Sequence, residues 1–296
     1  MRFAELVRFD FTRSVRAPAF RAVAAIYLLA SLLALMITWP GRLRVIDLAI
    51  PEASPEAFWR WLSLRIPFAW LPPLQLFILG FAAVVLASAP NREEEHETGF
   101  DLQAFAVSVP VPARSWLAVH LVATGLQLVV LAGLGMPFNL VAMGPRLLAT
   151  STAVGQAASP LFDPAVVASV LAAGLAALAF LAVAALAGTL AGVYLEIPWR
   201  WGIALLFAGS SGFFLTGLAR PESPLNPFSA VWVTVTYTLA SAARPLLSPA
   251  LGTFWPTALF WLTVALLGGM WVSKQIEHLR ESLWLEGPDS REEMQG

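Results

Sequence analysis

Residues 165–195, "AVVASVLAAGLAALAFLAVAALAGTLAGVYL", run for 31 positions without one charged side chain. About 20 such residues suffice to cross the hydrocarbon core of a bilayer as a helix. Inside lipid every backbone N–H and C=O needs a partner within the segment, so an open sheet is excluded and a helix is expected. Five further runs share this character, at residues 22–39, 68–89, 116–136, 201–218 and 253–272. The expected fold is all-α: a polytopic membrane protein with six transmembrane helices forming a single transmembrane domain over residues 22–272. The 31-residue run is longer than a bilayer requires and is expected to tilt or to project beyond it.

Composition agrees, since only 12% of the 296 residues are charged and 58% are hydrophobic, against about a quarter charged in soluble domains. The net charge of −1 leaves no basic surface for nucleic acid. There is no cysteine, which removes disulfides, thiolate metal sites and cysteine nucleophiles. Residues 22–39 are long for a signal-peptide core, and no small-residue cleavage site follows, so a retained first span is expected.

Residues 1–21 place Phe3, Leu6, Val7, Phe11 and Val15 at roughly helical spacing among Arg2, Arg8, Arg13, Arg16 and Arg21. An amphipathic helix lying at the membrane surface is expected there; a positive flank that only orients the next helix is the plainer alternative. Trp39, Trp70, Trp116, Trp199, Trp201, Trp255 and Trp271 cluster at span ends, as an interfacial aromatic belt requires. Residues 228–247 are open to two readings. Pro221, Pro224, Pro227 and Pro245 favour a partly inserted, broken hairpin over a seventh span.

Six spans with both termini inside put eleven Arg and Lys residues in inner segments against seven outside. That bias supports the orientation. It places residues 90–115 in the cytoplasm and makes residues 273–296 a cytoplasmic tail.

The spans offer no means of capturing energy. Ion-driven carriers keep an ionisable side chain inside the membrane, and no Asp, Glu or Lys lies well inside these runs. Glu196 sits at a span end. His120, one turn into the third span, reads as a satisfied interfacial group rather than a relay. The sole lysine, Lys274 in "WVSKQIE", has no glycine before it and no hydroxyl after it, so no phosphate-binding loop is present. His96, His120 and His278 fit no metal-binding spacing. "GSSG" at 209–212 has no histidine in a neighbouring span to act as base, so Ser210 and Ser211 read as small packing residues, as do the glycines of "GTLAG" at 188–192. No catalytic or metal-ligating residue is expected, and the chain is not expected to be an enzyme.

The densest charge lies in "NREEEHETGFDLQAFAVSVPVPARSW", residues 91–116. Pro90 ends the second span, and Arg92, Glu93, Glu94, Glu95, His96 and Glu97 form a charged turn. Acidic groups suit a first helical turn because its unpaired N–H groups carry partial positive charge. Phe100, Phe105 and Val109 follow near helical spacing until Pro110 and Pro112 stop the helix. Arg114 and Trp116 then anchor the next span. The expected product is a short cytoplasmic helix with one apolar face and one acidic end, joined to two membrane helices and suited to dock a soluble partner.

"EHETGFDLQAFAVSVPVPARSW" resembles the cytoplasmic signature of permeases of the type-2 (ABC-2) exporter class of ABC transporters. There, roughly, Glu-Arg-Glu-x-Gly-Thr-Leu precedes an apolar helix and Pro-Val-Ser-Arg enters the third span. Glu95, Glu97, Gly99, Pro110, Val111 and Arg114 take the matching places, with His96 where the class has Arg. The N-terminal helix is similar to the class's elbow helix, and "LNPFSAVW" at 225–232 precedes the last span. The resemblance implies a transport subunit without its own ATPase, in the cell (inner or plasma) membrane, with ATP and Mg on a soluble ABC ATPase subunit. A second permease chain, identical or different, would complete the pathway. Arg92, Glu93, Glu94, Glu95, His96, Glu97, Gly99, Phe100, Phe105, Pro110 and Arg114 would form the coupling helix between spans two and three. Substrate contacts would come from Phe77, Phe81, Phe207, Phe213 and Phe214 on the second and fifth spans. A membrane anchor or assembly subunit that recruits a cytoplasmic protein without moving substrate is the alternative.

Overall fold

The computed structural model describes residues 3–38, 70–88, 111–153, 164–195, 197–216, 225–239 and 254–285, and every regular element among them is a helix. The first two are α1 (Phe3–Arg16) and α2 (Pro18–Thr38), separated by a bend at Ala17. The break follows from Pro18. Its ring disfavours helical backbone at the residue before it, while its fixed φ suits the first position of a new helix.

Then come α3 (Leu71–Ser88), α4 (Ala113–Ala153), α5 (Pro164–Tyr194), α6 (Ile197–Thr216), α7 (Pro227–Leu239) and α8 (Phe254–Leu285). Five segments, Pro18–Met36, Leu71–Ser88, Ala113–Ala142, Val166–Tyr194 and Phe254–Ser282, are long and apolar enough to cross a membrane. The protein therefore has the build of a multi-pass membrane protein. The 20-residue α6 carries the run expected at 201–218.

Two helices outrun their expected ends. Residues 116–136 were the expected third span, yet α4 continues through Pro137 for 41 residues in all. An interior proline deletes one backbone hydrogen bond. Here the following turns pack Phe138 and Ala142 against Ala34, Leu35 and Leu71, and that packing carries the helix past the break. Likewise α8 runs 32 residues, well beyond Val272. The 13 residues of α7 extend about 20 Å, too short to cross a bilayer core. Its start is well marked. Asn226 Oδ1 accepts from the backbone N–H of Phe228 (3.0 Å) and Ser229 (3.3 Å), Pro227 occupies the first turn, and Asn226 Nδ2 donates to Phe214 O at 2.7 Å. The "LNPF" stretch is thus a helix cap tied back to the end of α6.

The bundle is organised on α3 and α5. α5 packs against α3, α6, α7 and α8, and α3 also contacts α2, α4 and α6. Of the crossing segments α3 is the most enclosed, with 72% of its residues buried against 22% in α8. Close approach explains why glycine stands where these axes meet. A methyl group at Gly188 would overlap the Val84 carbonyl and lie 2.9 Å from Val84 Cα, and one at Gly80 would lie 2.8 Å from Phe180 Cε1. The expectation that the "GTLAG" glycines serve packing holds at Gly188.

The tryptophans divide. Trp199, Trp201, Trp255 and Trp271 are exposed on the outer surface, as an interfacial belt requires. Trp116 is instead buried and turned inward, and Trp70 packs against the core; Trp39 lies outside the described residues.

Candidate functional site

Nearly all the charge described gathers at one rim of the bundle. Arg8, Arg13, Arg16, Arg21, Arg114, Arg200, Lys274 and Arg280 stand there with Glu5, Asp10, Glu277 and Glu281, eight basic side chains against four acidic. The contacts that join these elements converge on two places: the end of α3, where residues 89–110 begin, and the start of α4, where they finish.

The last four carbonyls of a helix find no partner within it, and those of α3 run to Ser88. Three of them are claimed by side chains. Ser88 Oγ donates back to Val85 O at 3.0 Å. His120, from α4, brings Nε2 to 3.1 Å from Ala87 O. Arg200, from α6, donates from Nη1 to Ser88 O at 3.4 Å and from Nε to Leu195 O, the residue after α5, at 2.6 Å. One buried guanidinium thus ties together the ends of two helices, where the concentrated carbonyls favour a cation. His120 reaches a third element, its Nδ1 lying 3.2 Å from Asp10 Oδ2 on α1. Its ring stacks on Trp116, with centroids 5.3 Å apart and planes 7° from parallel.

The start of α4 has the opposite need, unpaired N–H groups. The Glu277 carboxylate accepts from Ala113 N–H at 3.3 Å, and Arg280 Nη1 donates to Val111 O at 2.6 Å. Both side chains come from the part of α8 beyond Val272. Tyr194 Oη, at the end of α5, donates to Gln275 O at 2.9 Å. The residues expected as a cytoplasmic tail therefore begin as a continuous helix that grips the start of α4.

Of the residues expected to dock a partner, Arg92, Glu93, Glu94, Glu95, His96, Glu97, Gly99, Phe100, Phe105 and Pro110 lie outside the described residues. Arg114 lies on the first turn of α4 and is exposed. The five phenylalanines expected along a substrate pathway do not form one lining. Phe77, Phe207 and Phe214 pack around an aromatic hub that the apolar runs did not single out. Its centre, Phe180, has ring centroids 5.4 Å from Phe207, 5.2 Å from Phe228 and 5.2 Å from Trp261. Phe81 packs with the neighbouring cluster around Leu79 and Ala83. Phe213 is 78% exposed on the outer surface. Ser210 Oγ donates to Phe207 O within its own helix at 2.9 Å, and Ser211 is buried.

A second polar cluster, unforeseen from the sequence, lies away from the rim between α2, α3 and α4. Gln75 Nε2 donates to Ser31 Oγ (3.3 Å) and Gly135 O (3.4 Å), and Asn139 Nδ2 donates to Gln75 Oε1 (2.7 Å). These groups are all neutral, so the cluster can hold helices together or orient a polar molecule but cannot carry charge. Among the described residues no three His, Asp or Glu side chains converge as a metal ion requires.

The described side chains of the rim thus hold the helix ends on either side of residues 89–110, an acidic 22-residue connection, against four helices. No protein-family model, curated protein or solved structure matches this chain.

Proposed function

We propose that this chain is the membrane subunit of an ATP-driven exporter of the type-2 ABC class, worked through residues 90–115 by a separate soluble ATPase. The observation that carries this reading is the framing of that segment. A connection that only linked two spans would need no side chains from α4, α6 and α8 at its ends. Here His120, Arg200, Glu277 and Arg280 hold those ends in place. A push on the segment would therefore reach α1, α5, α6 and α8 at once.

In this reading the charged rim faces the cytoplasm, since the excess of cations belongs on that side. Both termini are then inside, α1 is the elbow helix, and α6 completes a set of six spans. α7 is the inserted half of a broken hairpin. A second permease chain, of the same or another kind, shares the pathway; ATP and Mg are held by the partner. The membrane is the cell (inner or plasma) membrane.

The test is gentle detergent extraction followed by identification of bound proteins, which should recover a soluble ATPase with a phosphate-binding loop. Glu95→Arg and Glu97→Arg should each lower its recovery about tenfold, as expected when like charges replace attractive ones at an interface. Undiminished binding by both variants would end the docking assignment. A bound partner with no ATP-dependent transport in vesicles would leave the chain an anchoring subunit instead.

A further inference from the structure

We propose that Asp10 and His120 form a proton-operated latch that fastens α1 to the end of α3. The proposal goes beyond the transport reading and does not rest on it, because it follows from counting hydrogens around one ring.

A neutral imidazole carries one N–H, and its other nitrogen can only accept. The Ala87 carbonyl can only accept, so the 3.1 Å contact is a hydrogen bond only when His120 Nε2 carries the hydrogen. The 3.2 Å contact between Nδ1 and Asp10 Oδ2 then needs a second proton. It resides either on Nδ1, as imidazolium beside carboxylate, or on the carboxyl, which then donates to Nδ1. Both arrangements hold one proton more than neutral histidine beside ionised aspartate. Without it, either the Nδ1 lone pair faces a carboxylate, or the hydrogen sits on Nδ1 and the Nε2 lone pair faces the Ala87 carbonyl, so one of the two contacts is lost. Neither can persist cheaply at a site where His120 is 7% exposed. Alkaline conditions withdraw that proton and open the latch; acidic conditions close it.

Among the described residues, the other groups around the ring do not supply a substitute. From α3 only the Ala87 carbonyl reaches it. From α4 it meets the face of Trp116. From α6, Arg200 is engaged with the Ser88 and Leu195 carbonyls. Arg13 lies one turn beyond Asp10 on α1, and α2 contributes no charge beyond Arg21 at its start. Among the described residues, Asp10 is thus the carboxylate that faces the ring. Because His120 also caps α3, opening the latch frees α1 at the point from which residues 89–110 depart.

The chain lacks cysteine, so paired spin labels can be introduced without background. Labels at Thr12→Cys on α1 and Lys274→Cys on α8, both exposed positions, would report α1 against the bundle in lipid nanodiscs. Labels at Val122→Cys and Lys274→Cys would report α4 against α8. Between about pH 5.5 and about pH 8.5, an interval chosen around the ordinary charge change of histidine, the short-distance population of the first pair should fall about two-fold or more. The second pair should not change. Asp10→Asn, which can bond a neutral imidazole, and His120→Gln, which does not titrate, should each abolish the response while keeping the second distance. A first-pair distance indifferent to pH in the unaltered protein, or a response that survives both substitutions, would overturn the latch.

Discussion

The interface of α3 with α5 and the charged rim at their ends are held by opposite means. Between the helices, contact is steric: Gly188 meets the Val84 backbone, and Gly80 makes room for Phe180. At the rim it is directional, with Arg200, His120, Glu277 and Arg280 each answering a backbone group that a helix end leaves open. Helices already in lipid gain little from burying more apolar surface, so close packing has to bring them together inside the bilayer. At the rim, where the ends meet water, polar partners select one arrangement among many. The interior should therefore forgive polarity and punish size, and the rim the reverse.

The sharpest break should come from Gly188→Val. Its side chain meets backbone that cannot turn aside, so α3 and α5 must separate, at about 3 kcal/mol; a mixed-detergent unfolding titration would show the midpoint shift, and Gly188→Ala should show a smaller one. Arg200→Met keeps most of the volume and loses every polar contact, leaving two buried carbonyls unmet for about 2 kcal/mol in the same titration. If methionine were tolerated as well as arginine, the rim would be packing after all. Asn226→Ala removes the cap of α7 and its bond to Phe214 O, about 1 kcal/mol, and should appear as faster amide exchange confined to the first turn of α7. Smallest is Glu277→Gln, about 0.5 kcal/mol, from loss of negative charge at the start of α4; added salt should weaken the wild type toward the variant.

The helices themselves were legible in the sequence, because a long chargeless run has one stable conformation in lipid. The segments 165–195 and 68–89 reappear as α5 and α3 within a few residues. Ends marked by proline were less legible. Pro18 did break a helix, but Pro137 did not, since Phe138 and Ala142 find partners on α2 and α3. That depends on packing between distant segments, which periodicity does not record. The same limit hid the rim. His120 is legible as a rim histidine, but nothing local indicates that Asp10, 110 residues earlier, meets it. Nor does the spacing of Glu277 and Arg280 reveal that they reach back to Ala113 and Val111. Phe180 was concealed within a run where almost every residue is apolar. Gln75 and Asn139 carry no charge and so stand out from no apolar run, yet neutral amides can also sit between membrane helices.

The unbroken course of α8 turns tilt into travel. From Gly269 to Arg280 a rigid helix covers about 16 Å, so swinging it about 10° displaces the Arg280 end by about 3 Å, the reach of one hydrogen bond. Gly268 and Gly269 stand together where such a pivot costs least, since paired glycines are among the few features that let a helix bend. A modest rocking of the membrane portion would thus be enough to let go of Val111 and Ala113 or to seize them again, with no helix unwinding.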